Sequence, residues 1–300
     1  MMKCIKCRGK AHIKLPRHNA RFCADHFVEY FHEQIQKAIK KNKMFTHQDN
    51  ILVTVSGGKD SLVLWEALLK LGYQAEGLYL DLGIGDYSQK SKELCMYFAG
   101  KRSLTLHVVS ISEWLDMGIN GIAKKVRRPP CSSCGLIKRY LFNRFSVEQN
   151  YQVVATGHNL DDEAATLLGN LLHWQTGYLS RQSPVMPSNH PNMVKKVKPL
   201  YRLTEKETGA YAIIKGIDYI LEECPLAVGA SSIKFKKVLN DLEIQSPGTK
   251  QQLYFGFLKK GKKTFMEEDK VELKSCTRCK QPTTIDLCAF CQLSDRLSSS

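Results

Sequence analysis

Residues 51–61 read Ile51-Leu52-Val53-Thr54-Val55-Ser56-Gly57-Gly58-Lys59-Asp60-Ser61. The first five side chains are apolar or β-branched, a composition typical of a strand buried on both faces of a parallel sheet. A glycine-rich turn follows, and Ser61–Leu71 has the apolar pattern of a helix that ends at Gly72. The stretch therefore predicts a strand, a tight turn and a helix in direct succession.

The turn at residues 56–61 has the chemistry of a phosphate-binding loop. Its glycines let backbone N–H groups approach a phosphate, and the following helix adds the positive end of its dipole. Lys59 supplies a mobile cation, and Asp60 is suited to hold Mg²⁺ against the phosphates. The spacing differs from the GxxxxGK[ST] loop that binds a γ-phosphate. The candidate ligands of a phosphorylated nucleotide on this strand, its turn and the next strand are Val55, Ser56, Gly57, Gly58, Lys59, Asp60, Ser61 and Tyr79.

Strand and helix patterns alternate along the chain. This alternation indicates an α/β fold with right-handed crossovers, a parallel sheet and helices on both faces. Binding sites in such folds lie at the carboxyl ends of the strands, so the loops that follow the strands should meet at one edge. Further strands are predicted at Gly77–Leu80, Leu104–Val109 and Gln152–Thr156, and further helices at Ser88–Ala99, Gly135–Gln149, Asn159–Leu172, Ile233–Leu242 and Thr249–Leu258.

A second motif follows the fourth predicted strand and reads Gly157-His158-Asn159-Leu160-Asp161-Asp162-Glu163. Gly157 lets the backbone lie against a nucleotide. Two adjacent carboxylates cannot point the same way on a helix, so Asp161 and Asp162 are expected to have different roles. The alternative is that the Asn and Asp residues only cap the helix.

Four cysteines stand outside any complete zinc pattern, and of these Cys95 is isolated while the other three form a candidate site. Cys131 and Cys134 form a CxxC pair, and Cys224 precedes a proline. Three thiolates are one short of a closed zinc site, but they can ligate a [4Fe-4S] cluster and leave one iron open. The alternatives are a persulfide with a resolving thiol, a zinc ion with a non-cysteine fourth ligand, and three buried structural thiols.

Lys138 lies one helical turn beyond Cys134 and can face the same cleft. There it would stabilise phosphate charge or a developing oxyanion. The alternative is a solvated lysine on an exposed helix face.

Two ligand sets with zinc spacing flank the chain. The first is Cys4, Cys7, Cys23 and His26, and the second is Cys276, Cys279, Cys288 and Cys291. Each supplies four ligands in two knuckles, as a closed structural zinc site requires. Modules this small cannot fold on apolar burial alone, so two Zn²⁺ ions are expected to hold them together.

The composition favours a cytoplasmic protein with a polyanionic partner. The 300 residues carry a formal net charge of +15, which favours nucleic acid. No run of about 18 apolar residues occurs, and the N-terminus lacks the apolar stretch of a signal peptide. Disulfides are disfavoured in that compartment, so metal binding or catalysis better explains the 11 cysteines.

Between Gln175 and Pro199 the chain is rich in Pro, Ser and Asn. It is interpreted as a long loop or lid. Its basic end, Val194–Pro199, either approaches RNA or forms a short edge strand with solvated lysines.

In order and spacing, these motifs resemble the tRNA 2-thiolation enzymes of the TtuA type. The SGGKDS turn and the GHNLDD motif are similar to those of the wider PP-loop superfamily of ATP pyrophosphatases (adenine nucleotide alpha hydrolase-like). The resemblance covers nearly the whole chain. It implies a zinc module and linking helix at 1–45, a PP-loop catalytic domain at 46–232, and C-terminal helices with a second zinc module at 233–300.

The resemblance also implies a mechanism. ATP adenylates O2 of a uridine, expected at tRNA position 54, and sulfur carried on a [4Fe-4S] cluster held by Cys131, Cys134 and Cys224 replaces that oxygen. Asp162 would face the nucleotide, and the implied catalytic set is Asp60, Cys131, Cys134, Lys138, Asp162 and Cys224. Lys138, Gly157 and Asp162 join the ATP ligands, with Mg²⁺ as cofactor.

The implied partners are tRNA, a sulfur donor such as a thiocarboxylated ubiquitin-like carrier protein, and a second copy of the chain in a homodimer. Two alternatives remain. One is thiolation of a wobble uridine or a cytidine by a cysteine persulfide route. The other is a non-catalytic zinc-finger adaptor that binds RNA.

Overall fold

A computed structural model of the chain describes residues 2–227, 231–265 and 272–298. The described β-strands are β1 (Ile13–Leu15), β2 (Ala20–Phe22), β3 (Ile51–Val55), β4 (Ala75–Asp81), β5 (Leu106–Ser110), β6 (Val153–Thr156), β7 (Val185–Met186), β8 (Lys195–Val197), β9 (Lys274–Ser275) and β10 (Pro282–Thr283). The described α-helices are α1 (Ala24–Lys41), α2 (Lys59–Lys70), α3 (Gly85–Gly100), α4 (Ser112–Leu115), α5 (Ile119–Lys125), α6 (Pro130–Glu148), α7 (Leu160–Leu172), α8 (Thr176–Arg181), α9 (Glu205–Lys215), α10 (Ser231–Gln245), α11 (Thr249–Lys259) and α12 (Ala289–Ser298). Short 3-10 helices lie at Pro16–His18 and Gly261–Phe265.

The centre of the molecule is a six-stranded sheet in the order β5-β4-β3-β6-β8-β7. All neighbouring strands are parallel except β7, which pairs antiparallel with β8. The predicted parallel α/β sheet is therefore confirmed. Val55 pairs with Tyr79 at the carboxyl ends of β3 and β4, so both residues lie at the same edge.

Helices cover both faces of this sheet, as the buried strand β3 requires. Successive strand residues point to opposite faces. Ile51, Val53 and Val55 accordingly join one apolar cluster with α1, α2 and α9, whereas Leu52 joins a second cluster on the other face with α5 and α6. The loops after the strands emerge between these two layers.

The segment Gln175–Pro199 is more ordered than the expected lid. It contains α8, β7 and β8, and the last two complete the central sheet. Strands of two and three residues are too short to leave a periodic signal, which is why the composition suggested a loop.

A short strand does form within Val194–Pro199, but two of the three lysines of this segment are paired inside the fold rather than solvated. Lys195 donates to the Met44 carbonyl at 3.0 Å, and Lys198 pairs with the buried Glu163 at 2.7 Å. Strand β8 lies inside the sheet, because β7 occupies the edge.

The terminal modules are hairpins packed onto the main body. Arg17, beside the β1–β2 hairpin, forms an ion pair with Glu207 of α9 at 2.7 Å. The ring of Phe290, in the C-terminal module, stacks on Tyr140 of α6 with the ring centroids 3.7 Å apart. Among the described helices, none is long and apolar enough to cross a membrane.

Candidate functional site

A cavity of about 430 Å³ opens at the carboxyl edge of the sheet. The ends of β3, β4 and β6 form its floor, and the first turns of α2, α6 and α7 converge on it. Of the predicted ATP ligands, those that line the cavity are Val55, Ser56, Gly58, Asp60, Ser61, Tyr79, Lys138, Gly157 and Asp162. This is the location that parallel α/β sheets favour for ligands.

Two glycines allow the backbone to close around this cavity. Gly57 has a φ of 73°, and a Cβ there would lie 2.9 Å from the Ser91 backbone. A Cβ on Gly157 would lie 2.8 Å from the amide nitrogen of Ser61. Any larger residue at either position would push apart the turn and the elements packed against it.

The serines of the turn hold its shape. The Ser61 hydroxyl donates to the Gly58 carbonyl at 2.9 Å and accepts from the Ser56 amide at 3.2 Å. The hydroxyls of Ser56 and Ser61 lie 3.5 Å apart. The turn is therefore preorganised before any phosphate binds.

Lys59 and Gly57 are the two predicted ATP ligands that do not line the cavity. The Lys59 ammonium instead contacts Glu205 at 2.8 Å and Asp60 at 3.2 Å. Asp60 also accepts a hydrogen bond from the Thr208 hydroxyl. Burial raises the pKa of Asp60, although the Lys59 charge opposes that shift.

The adjacent aspartates of α7 point to different places. Asp162 lines the cavity, closes a capping box with Asn159, and lies 2.6 Å from Lys236. Asp161 is buried away from the cavity, where it binds Lys250 and accepts from the Glu205 amide at 2.9 Å. The Asp162 carboxylate therefore faces the cavity, and the Asp161 carboxylate joins α7 to α9 and α11.

The three cysteines of the candidate site come together beside the cavity. Cys134 and Cys224 line it, and Cys131 lies next to them with its thiol 3.4 Å from the Leu226 carbonyl. Helix α6 begins at Pro130 rather than at the predicted Gly135, so Cys131 lies in its first turn and Cys134 at the start of its second. Proline is favoured at that first helical position, which explains the earlier start.

Lys138 lies on the same face of α6 as Cys134 and also lines the cavity. Burial raises the pKa of the Cys134 thiol, and the Lys138 charge opposes that shift. Metal binding requires the thiolate, so a cation at this position favours the ligand form.

The terminal groups are compact enough for single zinc ions. Within each set, the four ligand atoms all lie within 4.8 Å of one another. Although burial opposes ionisation, backbone amides lower the pKa of both Cys4 and Cys276 to about 6. Both groups therefore fit zinc sites in position and in chemistry.

The thiols of Cys131, Cys134 and Cys224 are all free but form no such compact group in the described part of the chain. A single tetrahedral ion draws its ligands close together, whereas a cluster in which each thiolate binds a different iron holds them farther apart. The trio therefore fits a [4Fe-4S] cluster better than a mononuclear zinc site.

The chain is similar to known proteins along nearly its whole length. The PP-loop domain family matches residues 28–225, and the N-terminal LIM domain of 2-thiouridine synthetase TtuA matches residues 3–28. A Pyrococcus horikoshii protein named tRNA-5-methyluridine(54) 2-sulfurtransferase is 46% identical over 97% of this chain and 93% of its own length. The Thermus thermophilus protein of that name is 45% identical over 98% and 91%. The chain belongs to the TtuA family.

The fold of this TtuA-family chain also matches a solved structure. The U34-tRNA thiolase NcsA from Methanococcus maripaludis, described with its [4Fe-4S] cluster, superimposes with a TM-score of 0.84. The match covers 99% of this chain and 97% of that one at 24% sequence identity. At that identity the likeness establishes the shared fold.

Sequence reasoning missed three polar residues that contact the site of this TtuA-family chain. Glu205 and Thr208 lie in α9, a helix that the sequence analysis did not predict, although Thr204 and Glu207 form a readable capping box at its start. Lys236 lies in the predicted C-terminal helix, but no local signal separates it from the lysines beside it.

Proposed function

We propose that this protein is an ATP-dependent tRNA 2-sulfurtransferase that thiolates the uridine at position 54. The observation that carries the proposal is the meeting of the phosphate-binding turn, Lys138 and three free cysteines at one cavity. The relatives at 45% and 46% identity are named for this reaction. An RNA-binding adaptor would have no need of an intact phosphate turn beside these thiols.

The proposed reaction consists of two substitution steps, both in the cavity. O2 of the uridine attacks the α-phosphorus of ATP, and pyrophosphate leaves. Sulfur then bonds to C2, the C2–O2 bond breaks, and AMP departs with the oxygen. The turn amides and Ser61 would bind the pyrophosphate portion, while Asp60 and Asp162 would hold Mg²⁺ against it.

Lys138 would stabilise the negative charge that develops in both substitution steps. It lines the same cavity as the phosphate turn, Cys134 and Cys224, and there it would stabilise negative charge on the phosphate or on O2. The apolar side chains of Leu80, Leu82 and Phe142 complete the wall. They exclude water, which would otherwise hydrolyse the adenylated uridine.

Cys131, Cys134 and Cys224 would hold a [4Fe-4S] cluster. When bound, such a cluster supplies an iron without a protein ligand, at which sulfur can be held for delivery. The chain itself provides the three thiolates and the adjacent Lys138.

The partners follow from this reaction. The tRNA substrate accounts for the net charge of +15. We further propose a cytoplasmic enzyme that acts as a homodimer and receives sulfur from a thiocarboxylated ubiquitin-like carrier protein.

Nucleoside mass spectrometry tests the function directly. Anaerobically purified protein, ATP and a sulfur source are incubated with a tRNA, with its U54C variant and with its U34C variant. We expect 2-thiouridine, with AMP and pyrophosphate, on all substrates except the U54C tRNA. Thiolation lost only in the U34C tRNA would assign the wobble position instead. Absence of thiolation from every substrate would reject the enzyme assignment.

A further inference from the structure

Helix α6 presents two different faces to two different cavities. Cys134, Lys138 and Phe142 recur every four residues and face the nucleotide cavity. The adjoining face of the helix lines a second cavity of about 290 Å³, between α6, β8 and the C-terminal zinc module. The α6 residues of this second cavity are Leu136, Arg139, Tyr140 and Asn143.

The second cavity is held in shape by contacts across it. The rings of Tyr140 and Phe290 are stacked, with an angle of 1° between their planes. The Asn143 side-chain amide donates to the Gln281 side-chain carbonyl at 2.6 Å and to the Asn192 backbone carbonyl at 2.8 Å. Helix α6, the loop before β8 and the zinc module thus form one preorganised surface.

Two cationic side chains line this cavity and have no anionic partner among the described residues. Arg139 is exposed and Lys196 is half-buried, and neither has a hydrogen-bond acceptor or an ion pair among the described residues. No carboxylate of the described chain lines the cavity. Burial, together with the nearby Arg139 guanidinium, lowers the pKa of Lys196 to about 8.

The Lys196 ammonium is partly desolvated and is repelled by the nearby Arg139, so an anion between the two groups would be stabilising. A phosphate suits the pair, because guanidinium donates two N–H groups to its oxygens and the ammonium adds a point charge. The exposure of Arg139 allows entry of a polymer, not only of a small ion.

We propose that Arg139 and Lys196 bind a backbone phosphate of the RNA substrate. The inference rests on the proposed function, since it takes RNA as the substrate. The bound phosphate would lie on one face of α6 while the target base enters the cavity on the adjoining face. Because both faces belong to one rigid helix, this contact would set the position of the RNA relative to Cys134 and Lys138.

The test measures tRNA affinity over a range of salt concentrations. The Arg139→Gln/Lys196→Gln protein is compared with wild type and with Lys40→Gln/Lys41→Gln, which removes the same charge from the exposed end of α1. We expect the first variant to bind tRNA about tenfold more weakly at physiological salt and to lose about one unit of the log–log salt slope. ATP affinity should not change. The control should bind tRNA nearly as wild type does.

Equal weakening in the two double variants would overturn the proposal, since it would indicate only a general effect of charge. Wild-type affinity in Arg139→Gln/Lys196→Gln would also overturn it. Arg139→Gln alone, at an exposed position, provides the same test if the double variant fails to fold. Affinity regained in Arg139→Lys/Lys196→Arg would support the phosphate contact.

Two further measurements separate the possible causes of a negative result. If inorganic phosphate raises the melting temperature of wild type but not of the double variant, and tRNA affinity is equal in both, the site binds free phosphate and the RNA assignment is wrong. Thiolation of tRNA by wild type is measured in parallel. Its absence would reject the proposed function, whereas thiolation with unchanged tRNA affinity in the variant would reject only this site.

Discussion

The Lys236 ammonium of helix α10 lies 2.6 Å from the Asp162 carboxylate at the start of α7. The same ammonium lies 3.2 Å from Glu205, which also holds Lys59. Two lysines and the carboxylates of Asp60, Asp162 and Glu205 thus form one network beside the phosphate turn. Binding of Mg²⁺ and pyrophosphate would exchange partners within it, because the metal competes for the carboxylates and the phosphate for the lysines.

Replacement of Lys236 tests its part in nucleotide binding. We expect Lys236→Met to raise the KM for ATP about tenfold, because the network then loses one positive charge next to the polyphosphate. Lys237→Met removes an exposed lysine from the same helix and should leave the KM unchanged. The KM for ATP of each variant is obtained from the rate of pyrophosphate release in the presence of tRNA. Equal KM values in the two variants would exclude Lys236 from the site.

Replacement of Cys224 tests the metal assignment. Cys224→Ser should lose iron and the visible absorbance of thiolate-bound iron after anaerobic purification, while it keeps two zinc ions and ATP affinity. Thiolation should be lost. Cys95→Ala is the control, since Cys95 is a buried thiol outside the trio. Full iron content in Cys224→Ser would show that this residue is not a ligand.

The Arg17–Glu207 pair is expected to anchor the N-terminal module. Both side chains are at most 5% exposed, and Tyr30 also donates to Glu207 at 2.9 Å. Arg17→Met leaves a buried carboxylate without its cation, so we expect a loss of about 3–5 kcal/mol in the free energy of unfolding. Lys37→Ala, which breaks an exposed pair with Glu33, should cost at most about 1 kcal/mol. Urea denaturation measures both losses, and similar values would contradict the prediction.

The acid stability of the protein should depend in part on Glu205. Burial alone would raise its pKa, but the ion pairs with Lys59 and Lys236 hold that pKa at about 2. A depressed carboxyl pKa stabilises the fold above the ordinary value near 4.5, and this contribution is lost as the pH falls from there towards 2. Wild type should therefore be more stable than Glu205→Gln at pH 7.

The difference in stability between wild type and Glu205→Gln should shrink steadily as the pH falls from 4.5 to 2. Thermal melts at a series of pH values give the two profiles. A difference that stays constant with pH, or that grows as the pH falls, would contradict the assigned ion pairs.

Elements whose signal is local could be predicted well. Strand β3, its turn and helix α2 occupy consecutive residues, and their apolar pattern and glycines depend on nothing distant. The zinc ligands also come in pairs with two residues between them, because each knuckle supplies two ligands. Strand β7 and helix α9 were not predicted, and strand β8 was expected only as one of two alternatives for Val194–Pro199. Partners in the sheet and in the packed core, rather than their own periodicity, stabilise the two strands.

By itself, the sequence determined the phosphate turn, the parallel α/β architecture and the types of metal ligand, because each depends on neighbouring residues. Only the tertiary structure decided that Cys224 meets Cys131 and Cys134, that Asp162 rather than Asp161 faces the cavity, and that Lys236 pairs with Asp162. Those relationships join residues that are distant along the chain or lie on different faces of one helix. Packing of the helices on the sheet sets these distances, and no local pattern of residues encodes them.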